Sequence, residues 1–171
     1  ENIMAHHIEV TKRFNVPAKK VWVVLADWGH VDKWHFSVEK SPIMDGKTFG
    51  PGAKRTCNFY DGSSVVEEII EYKEGESFTV VISEFSMPLK TMTAGTTVKT
   101  IDDNTCDITI DMDFVVKGGP LGWLMAIIMV KPMMKNITKK LLNGLAYHAA
   151  TEKLVANKLP PPQELASAFN R

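Results

Sequence analysis

Little in this sequence points to a special environment. It has only two cysteines, Cys57 and Cys106, in separate apolar segments and without metal-ligand spacing. Neither a disulfide framework nor a thiolate metal site is expected, and both read as reduced core residues. It lacks an excess of either charge, 20 Lys and Arg balancing 20 Asp and Glu, which removes the global electrostatic footprint of a nucleic-acid partner. It also lacks an apolar run approaching the roughly 20 residues of a bilayer span; the longest is Leu121 to Val130, LGWLMAIIMV. The opening residues, ENIMAHHIEV, show no charged, apolar and small-residue order of a secretory leader. The expectation is a cytoplasmic protein. No cofactor is implied. The histidines, His6, His7, His30, His35 and His148, never stand four apart with an acidic partner, so no metal is expected.

What is present is ordinary for a globular chain: 171 residues, 44% hydrophobic and 23% charged, enough to bury a core without staples. Ile8 to Phe14 alternates as a half-buried strand, with Lys12 placed near its end. Asn15-Val16-Pro17 then opens a helix, with Asn15 as a plausible cap and Val21, Trp22, Leu25 and Ala26 at helical spacing. A second short helix is expected from His30 to Trp34. Six strands follow: Ser37 to Met44, Ala53 to Tyr60, Ser64 to Tyr72, Phe78 to Ser86, Met92 to Ile101 and Thr105 to Val115, punctuated by turns such as Asp45-Gly46, Asp61-Gly62 and Asp102-Asp103-Asn104.

The last third is helical from Pro120 to Leu154, interrupted only by Pro132, which removes one backbone hydrogen bond and crowds the Ile128 carbonyl, so a kink is expected. Its second half is amphipathic, with Met133, Met134, Ile137, Thr138, Leu141, Leu145 and Ala149 on one side. Leu121 to Val130 is apolar all round and is expected to be covered on every face. Gly144 suggests close approach of this helix to the sheet. The whole is an α+β layer: about seven antiparallel strands, two short helices after the first, and a long C-terminal helix. Residues 5–157 are taken as one domain and 158–171, with Leu159-Pro160-Pro161-Pro162, as a proline-rich tail.

This order, together with Pro17-Ala18-Lys19-Lys20-Val21-Trp22, Asp27-Trp28 with Trp34 after it, Gly50-Pro51-Gly52-Ala53-Lys54-Arg55 and Gly144-Leu145, resembles the helix-grip superfamily. That superfamily includes START lipid-transfer domains, the birch-pollen allergen and the bacterial polyketide cyclase/dehydrase group. The resemblance covers roughly Ala5 to Asn157. It implies a curved sheet wrapped around the C-terminal helix, with an apolar cavity between them for a hydrophobic small molecule. Fold likeness alone does not choose among carriage and catalysis.

The register that the resemblance suggests places Arg55, Cys57 and Phe59 inward from one strand, Val66, Glu68 and Ile70 from the next, and Phe78, Val80, Ile82 and Glu84 from the third. The last strand would contribute Ile108, Ile110, Met112 and Phe114, and the helix Leu124, Met125, Ile128 and Met133. Against that apolar lining Arg55, Glu68 and Glu84 stand out, because a buried charge is costly unless paired. Arg55 and Glu68 form either a polar handle for a ligand carbonyl, carboxylate or hydroxyl, or an internal ion pair. His148 is a candidate proton-transfer group or a hydrogen-bonded histidine at the core rim. Trp28, Trp34, Phe36 and Trp123 are either a gate over the mouth or core aromatics.

Three functions remain open on this reading. One is a non-catalytic binder of a lipid, polyketide or isoprenoid. The second is a cyclase/dehydrase enzyme in which Arg55 polarises a carbonyl while Glu68 or His148 moves a proton. The third is a lipid shuttle that docks transiently on a membrane through Leu121 to Val130; it requires that segment to be exposed, whereas the other two expect it buried. Oligomeric state is left open.

Overall fold

The computed structural model describes residues 4–169, so Asn170 and Arg171, the end of the expected tail, lie outside the described residues. β1 (Ala5–Phe14) keeps the expected alternation, with Ile8, Val10 and Phe14 buried. Lys12 points inward at its end and donates from Nζ to Asn143 Oδ1 at 3.0 Å. α1 (Ala18–Ala26) starts after Pro17, which occupies the cap position; no side chain caps this helix, so Asn15 does not play that part. A 3-10 segment, Trp28–Lys33, follows.

The single strand expected over Ser37 to Met44 is two short ones, β2 (Val38–Lys40) and β3 (Ile43–Met44). Pro42 has no N–H for a ladder, and Ser41 turns inward, accepting from Val31 N–H at 3.0 Å and donating to the Gly29 carbonyl at 2.9 Å. The remaining strands are β4 (Lys54–Phe59), β5 (Ser64–Lys73), β6 (Ser77–Ser83), β7 (Leu89–Thr100) and β8 (Cys106–Val116). All pairs are antiparallel in the order β1-β8-β7-β6-β5-β4-β2, with β3 also on β4.

β8 carries Ile108, Ile110, Met112 and Phe114 inward and Asp107, Asp111 and Asp113 outward, as its period of two dictates. β5 does not follow expectation. Its inward residues are Val65, Glu67 and Ile69, one position off the anticipated Val66, Glu68 and Ile70, and Ile70 lies exposed. The cause is a bulge: Ile69 pairs with Val80 but Glu71 with Thr79, so one extra residue sits between them and Tyr72 returns to the inner side. A one-residue slip exchanges every side chain between faces.

α2 (Gly119–Met125), a π turn (Ala126–Val130) and α3 (Lys131–Thr151) run as one 33-residue helix. Gly118 and Gly119 turn into it with positive φ of 102° and 58°. The interruption expected at Pro132 takes the form of the π turn, in which the Lys131 N–H reaches back five residues to Ala126 O. That wider turn adapts the backbone ahead of Pro132 without ending the helix. On α3, Met134, Thr138, Leu141, Leu145 and Ala149 are buried at helical spacing. Gly144 does permit a close approach, but to the loop after the 3-10 segment instead of the sheet: a Cβ there would stand 2.3 Å from Trp34 O.

The first half of the helix overturns the expectation of burial. Leu121, Trp123, Leu124, Met125, Ile127, Ile128, Met129 and Met133 are all exposed, and Ala126 alone is buried between Leu121 and Met133. Trp123 stacks near His6, at 5.6 Å between ring centroids, and His6 stacks on Phe114 at 5.5 Å. Beyond Thr151 the chain turns at Glu152 (φ 59°), whose N–H donates to His148 O. The segment after residue 158 forms a short helix, α4 (Pro162–Leu165), and then crosses β1, where Asn15 N–H donates to Ala168 O and Phe169 meets Phe14 edge to face.

Candidate functional site

A cavity of about 650 Å³ lies between the sheet and α3, within the range of about 300–1,000 Å³ that holds small molecules. β6 contributes Phe78, Val80 and Ile82, β7 Met92, Ala94 and Thr96, and β8 Ile110 and Met112. α3 supplies Met134, Ile137 and Leu141. The opposite wall comes from Leu25, Trp28, Val31, Trp34, His35 and Phe36. Tyr60, Ser86 and Met87, all exposed, stand at its open side. Beside it Trp22, Trp28, Phe49, Tyr72 and Phe78 pack ring against ring at 5.4–6.1 Å, mostly edge to face, an arrangement that rings favour electrostatically.

Besides polar residues such as Ser37, Asp61, Ser63 and Thr96, a pair of opposite charges, Arg55 and Glu67, interrupts the mostly apolar lining. The β4–β5 register sets Arg55 opposite Glu67, not Glu68. Arg55 Nε donates to Glu67 Oε2 at 2.7 Å, its second terminal nitrogen lies 2.5 Å from the same oxygen, and its first donates to Trp28 O at 3.0 Å. The guanidinium also lies over the Trp28 ring, 3.4 Å from the centroid. The partner offered by the bulge-shifted register thus neutralises a residue only 8% exposed. Trp28 Nε1 is buried without a hydrogen-bond partner among the described residues.

His35, in the loop between the 3-10 segment and β2, is half-buried on the cavity wall beside this pair. Burial first, then the nearby Arg55 charge, push its pKa down to about 3, so the ring is neutral at ordinary pH. Ser37 N–H donates to its Nδ1 at 3.2 Å, which assigns the ring proton to Nε2. Cys57, inward on β4 but behind the lining, has its thiol pushed up to about 12 by burial and by Glu67; it stays protonated and is no nucleophile.

The other sequence-derived candidates divide clearly. Trp34, Arg55, Phe59, Val80, Ile82, Ile110 and Met112 line the cavity. Phe114 is buried but lies under His6, outside the lining. Glu68 faces the outer side and approaches Lys54 at 3.8 Å, the consequence of the slip on β5. Glu84 falls past the end of β6, exposed in a left-handed turn with φ 56°. Leu124, Met125 and Ile128 are on the exposed first half of the helix and Met133 is exposed just beyond it; the wall is made by Met134, Ile137 and Leu141 instead. His148 sits on another side of α3, in a small pocket with Val24, Asp27 and Lys33, its Nδ1 2.7 Å from Lys153 O. Trp28, Trp34 and Phe36 line the cavity, whereas Trp123 lies with His6, so the four do not form one gate. Glu67, His35 and Tyr60 went unnoticed in the sequence; for Glu67 the signal was the Glu67-Glu68-Ile69-Ile70 break in alternation, which marks a bulge.

Among the described residues one group offers metal-ligand atoms within 4.8 Å of each other, His7, Asp111 and Asp113. It lies on the outer face of β1 and β8, with His7 Nδ1 already 2.8 Å from Asp113 Oδ1, and is separate from the cavity. Also among the described residues, no helix is long and apolar enough to cross a membrane.

A sheet closed by a C-terminal helix over an apolar chamber defines the helix-grip class. The chain belongs to the family described as polyketide cyclase / dehydrase and lipid transport, whose pattern matches residues 5–150. Among solved structures it is similar to the Zhui aromatase/cyclase of Streptomyces sp. R1128, with TM-score 0.72 and 19% identity over 85% of this chain and 94% of that one. It is also similar to norcoclaurine synthase of Thalictrum flavum, solved with dopamine and hydroxybenzaldehyde, with TM-score 0.64 and 16% identity over 82% and 84%. A third is Ara h 8.0201, with TM-score 0.66 and 20% identity over 86% and 99%. At these identities the likeness carries the fold. No curated protein matches the chain in sequence.

Proposed function

We propose that this protein binds and carries a hydrophobic small molecule, of lipid, polyketide or isoprenoid type, that bears one polar acceptor group. The observation carrying this reading is the 650 Å³ chamber, mostly apolar in its lining, with Arg55 and His35 on its wall. An apolar body satisfies the walls, and a carbonyl or hydroxyl oxygen accepts from the Nε2–H of His35 beside the Arg55 charge.

Carriage is favoured over catalysis by the state of those groups. Arg55 is engaged by Glu67 and the Trp28 carbonyl. His35, at about 3, holds too little basicity to take a proton near neutral pH, and Cys57, at about 12, offers no thiolate. Extraction of the purified protein followed by mass spectrometry tests the reading. A bound apolar molecule at near one per chain is the expected result; an empty protein that also fails to bind an apolar fluorophore overturns it.

A catalytic reading draws on the same donors. Arg55, with the Nε2–H of His35, would polarise a carbonyl while the chamber shapes a reactive chain for cyclisation. It expects Arg55→Ala to lower turnover by about a hundredfold or more with binding of an apolar probe retained.

A further inference from the structure

The exposed arm is the feature that a cavity protein does not need. From Gly118 to Val130 the chain carries no charge, yet it places Leu121 at 72%, Ile128 at 64% and Met129 at 63% exposure. Large apolar patches on a folded surface mark an interaction site. The surrounding charges say what kind. Between Phe114 and Thr151 there is no Asp or Glu, but there are five lysines, at 117, 131, 135, 139 and 140, in a chain whose total charge is zero. Lys117 precedes the uncharged stretch, and Lys131 and Lys135 follow it.

We propose that this arm docks on an anionic lipid surface, lying in the headgroup interface with its apolar side chains among the acyl chains. The twelve helical residues from Gly119 to Val130 reach only about 18 Å, too short to span but long enough to lie in the plane. Apolar side chains, a tryptophan and flanking lysines are the composition of such helices. A second copy of this chain fits less well. A symmetric interface would set the lysine-flanked arm against itself, with no carboxylate on it to compensate.

Two contacts connect the arm to the cavity. Lys117 N–H donates to Pro88 O, which holds the start of the arm beside Met87 at the open side of the chamber. Met134 and Ile137, one and two turns past the arm, are part of the chamber wall. Docking therefore brings the mouth to the bilayer, the source and sink of an apolar ligand. This extends the carrier reading and rests on it only for that exchange step.

Flotation of the whole chain with phosphatidylcholine vesicles, with and without about one-third phosphatidylserine, tests the proposal without any cavity ligand. Binding to the anionic vesicles, weakened at least tenfold between about 0.1 M and about 1 M salt, is expected. Leu121→Ser/Ile128→Ser/Met129→Ser lowers partition by about a hundredfold, and Lys131→Gln/Lys135→Gln by about twenty-fivefold. Both variants keep wild-type binding of an apolar fluorophore in vesicle-free solution, since none of these residues lines the cavity. Equal binding to neutral and anionic vesicles, no binding to either, or a dimer in sedimentation that the triple serine variant abolishes would each overturn docking. An empty cavity with intact vesicle binding would overturn the carrier reading and leave docking in place.

Discussion

Removing the Glu67 carboxylate tests how the chamber tolerates a charge. Arg55 is 8% exposed and its guanidinium is set into the chamber wall. In the wild type it has Glu67 on two nitrogens, the Trp28 carbonyl on the third and the Trp28 ring on its face. Glu67→Ala leaves the carbonyl and the ring but strands the charge, which costs about 3–5 kcal/mol in comparable buried pairs. For a chain of this size that corresponds to a fall of roughly 10 °C in Tm. Glu67→Gln keeps one acceptor and falls between. Arg55→Met/Glu67→Leu removes both charges with similar volume and returns stability to within about 1 kcal/mol of wild type, or above it. Urea unfolding of wild type, Arg55→Met, Glu67→Leu and the double variant closes a double-mutant cycle, with Glu67→Ala and Glu67→Gln measured beside it. A cost below about 1 kcal/mol for Glu67→Ala, the value of a surface pair, would refute the claim that this pair is buried and mutually dependent. The stable double variant also separates scaffold from site: it retains an apolar fluorophore but loses at least tenfold in affinity for a ligand whose oxygen meets Arg55.

Two further perturbations probe the same wall. Gly144→Ala places a methyl 2.3 Å from Trp34 O; because backbone must yield, a loss of about 1–3 kcal/mol is expected, with weaker fluorophore binding as Trp34 and His35 move. Denaturation within about 0.5 kcal/mol of wild type would contradict that close approach. His35 is held at about 3 against an ordinary 6.5. Its folded pKa is depressed, and the unfolded chain takes up the proton first. Its stabilising effect is therefore complete above about pH 6.5 and declines toward pH 3, by up to about 1.4 kcal/mol per pH unit. His35→Gln should flatten the acid limb of a stability profile between about pH 6 and pH 4; an unchanged slope would show that the ring is not enclosed.

The fold was legible because each element carries its own period. β8 alternates without a fault, α3 buries every third or fourth residue, and glycines at 118 and 119 announce the helix start. The site was legible only in part, for a definite reason. Arg55 was identifiable as a charge in an apolar set, but its partner depended on a bulge at Ile69 to Glu71, and a bulge leaves only a local loss of alternation. Met133 was assigned to the wall in place of Met134 because adjacent positions lie only about 100° apart on a helix. Leu124, Met125 and Ile128 were misassigned for another reason: hydrophobicity predicts burial only when a partner is at hand, and no part of the described chain covers them. His35 and Tyr60 sit in loops, whose direction no periodicity reports.

The π turn at Ala126–Val130 has a consequence for how the two halves of the helix can change independently. The additional residue in that turn offsets the angular phase of everything before it by about 100° relative to an unbroken α-helix. Deleting one residue there would restore the regular winding yet leave Leu121 and Trp123 on the side they now occupy, because the wide turn already absorbs that residue's rotation, while Met134, Ile137 and Leu141 kept their places in the chamber. The turn thus acts as a slack joint: it takes up or gives back one residue of chain while the arm keeps its outward face and the same helix keeps closing the pocket.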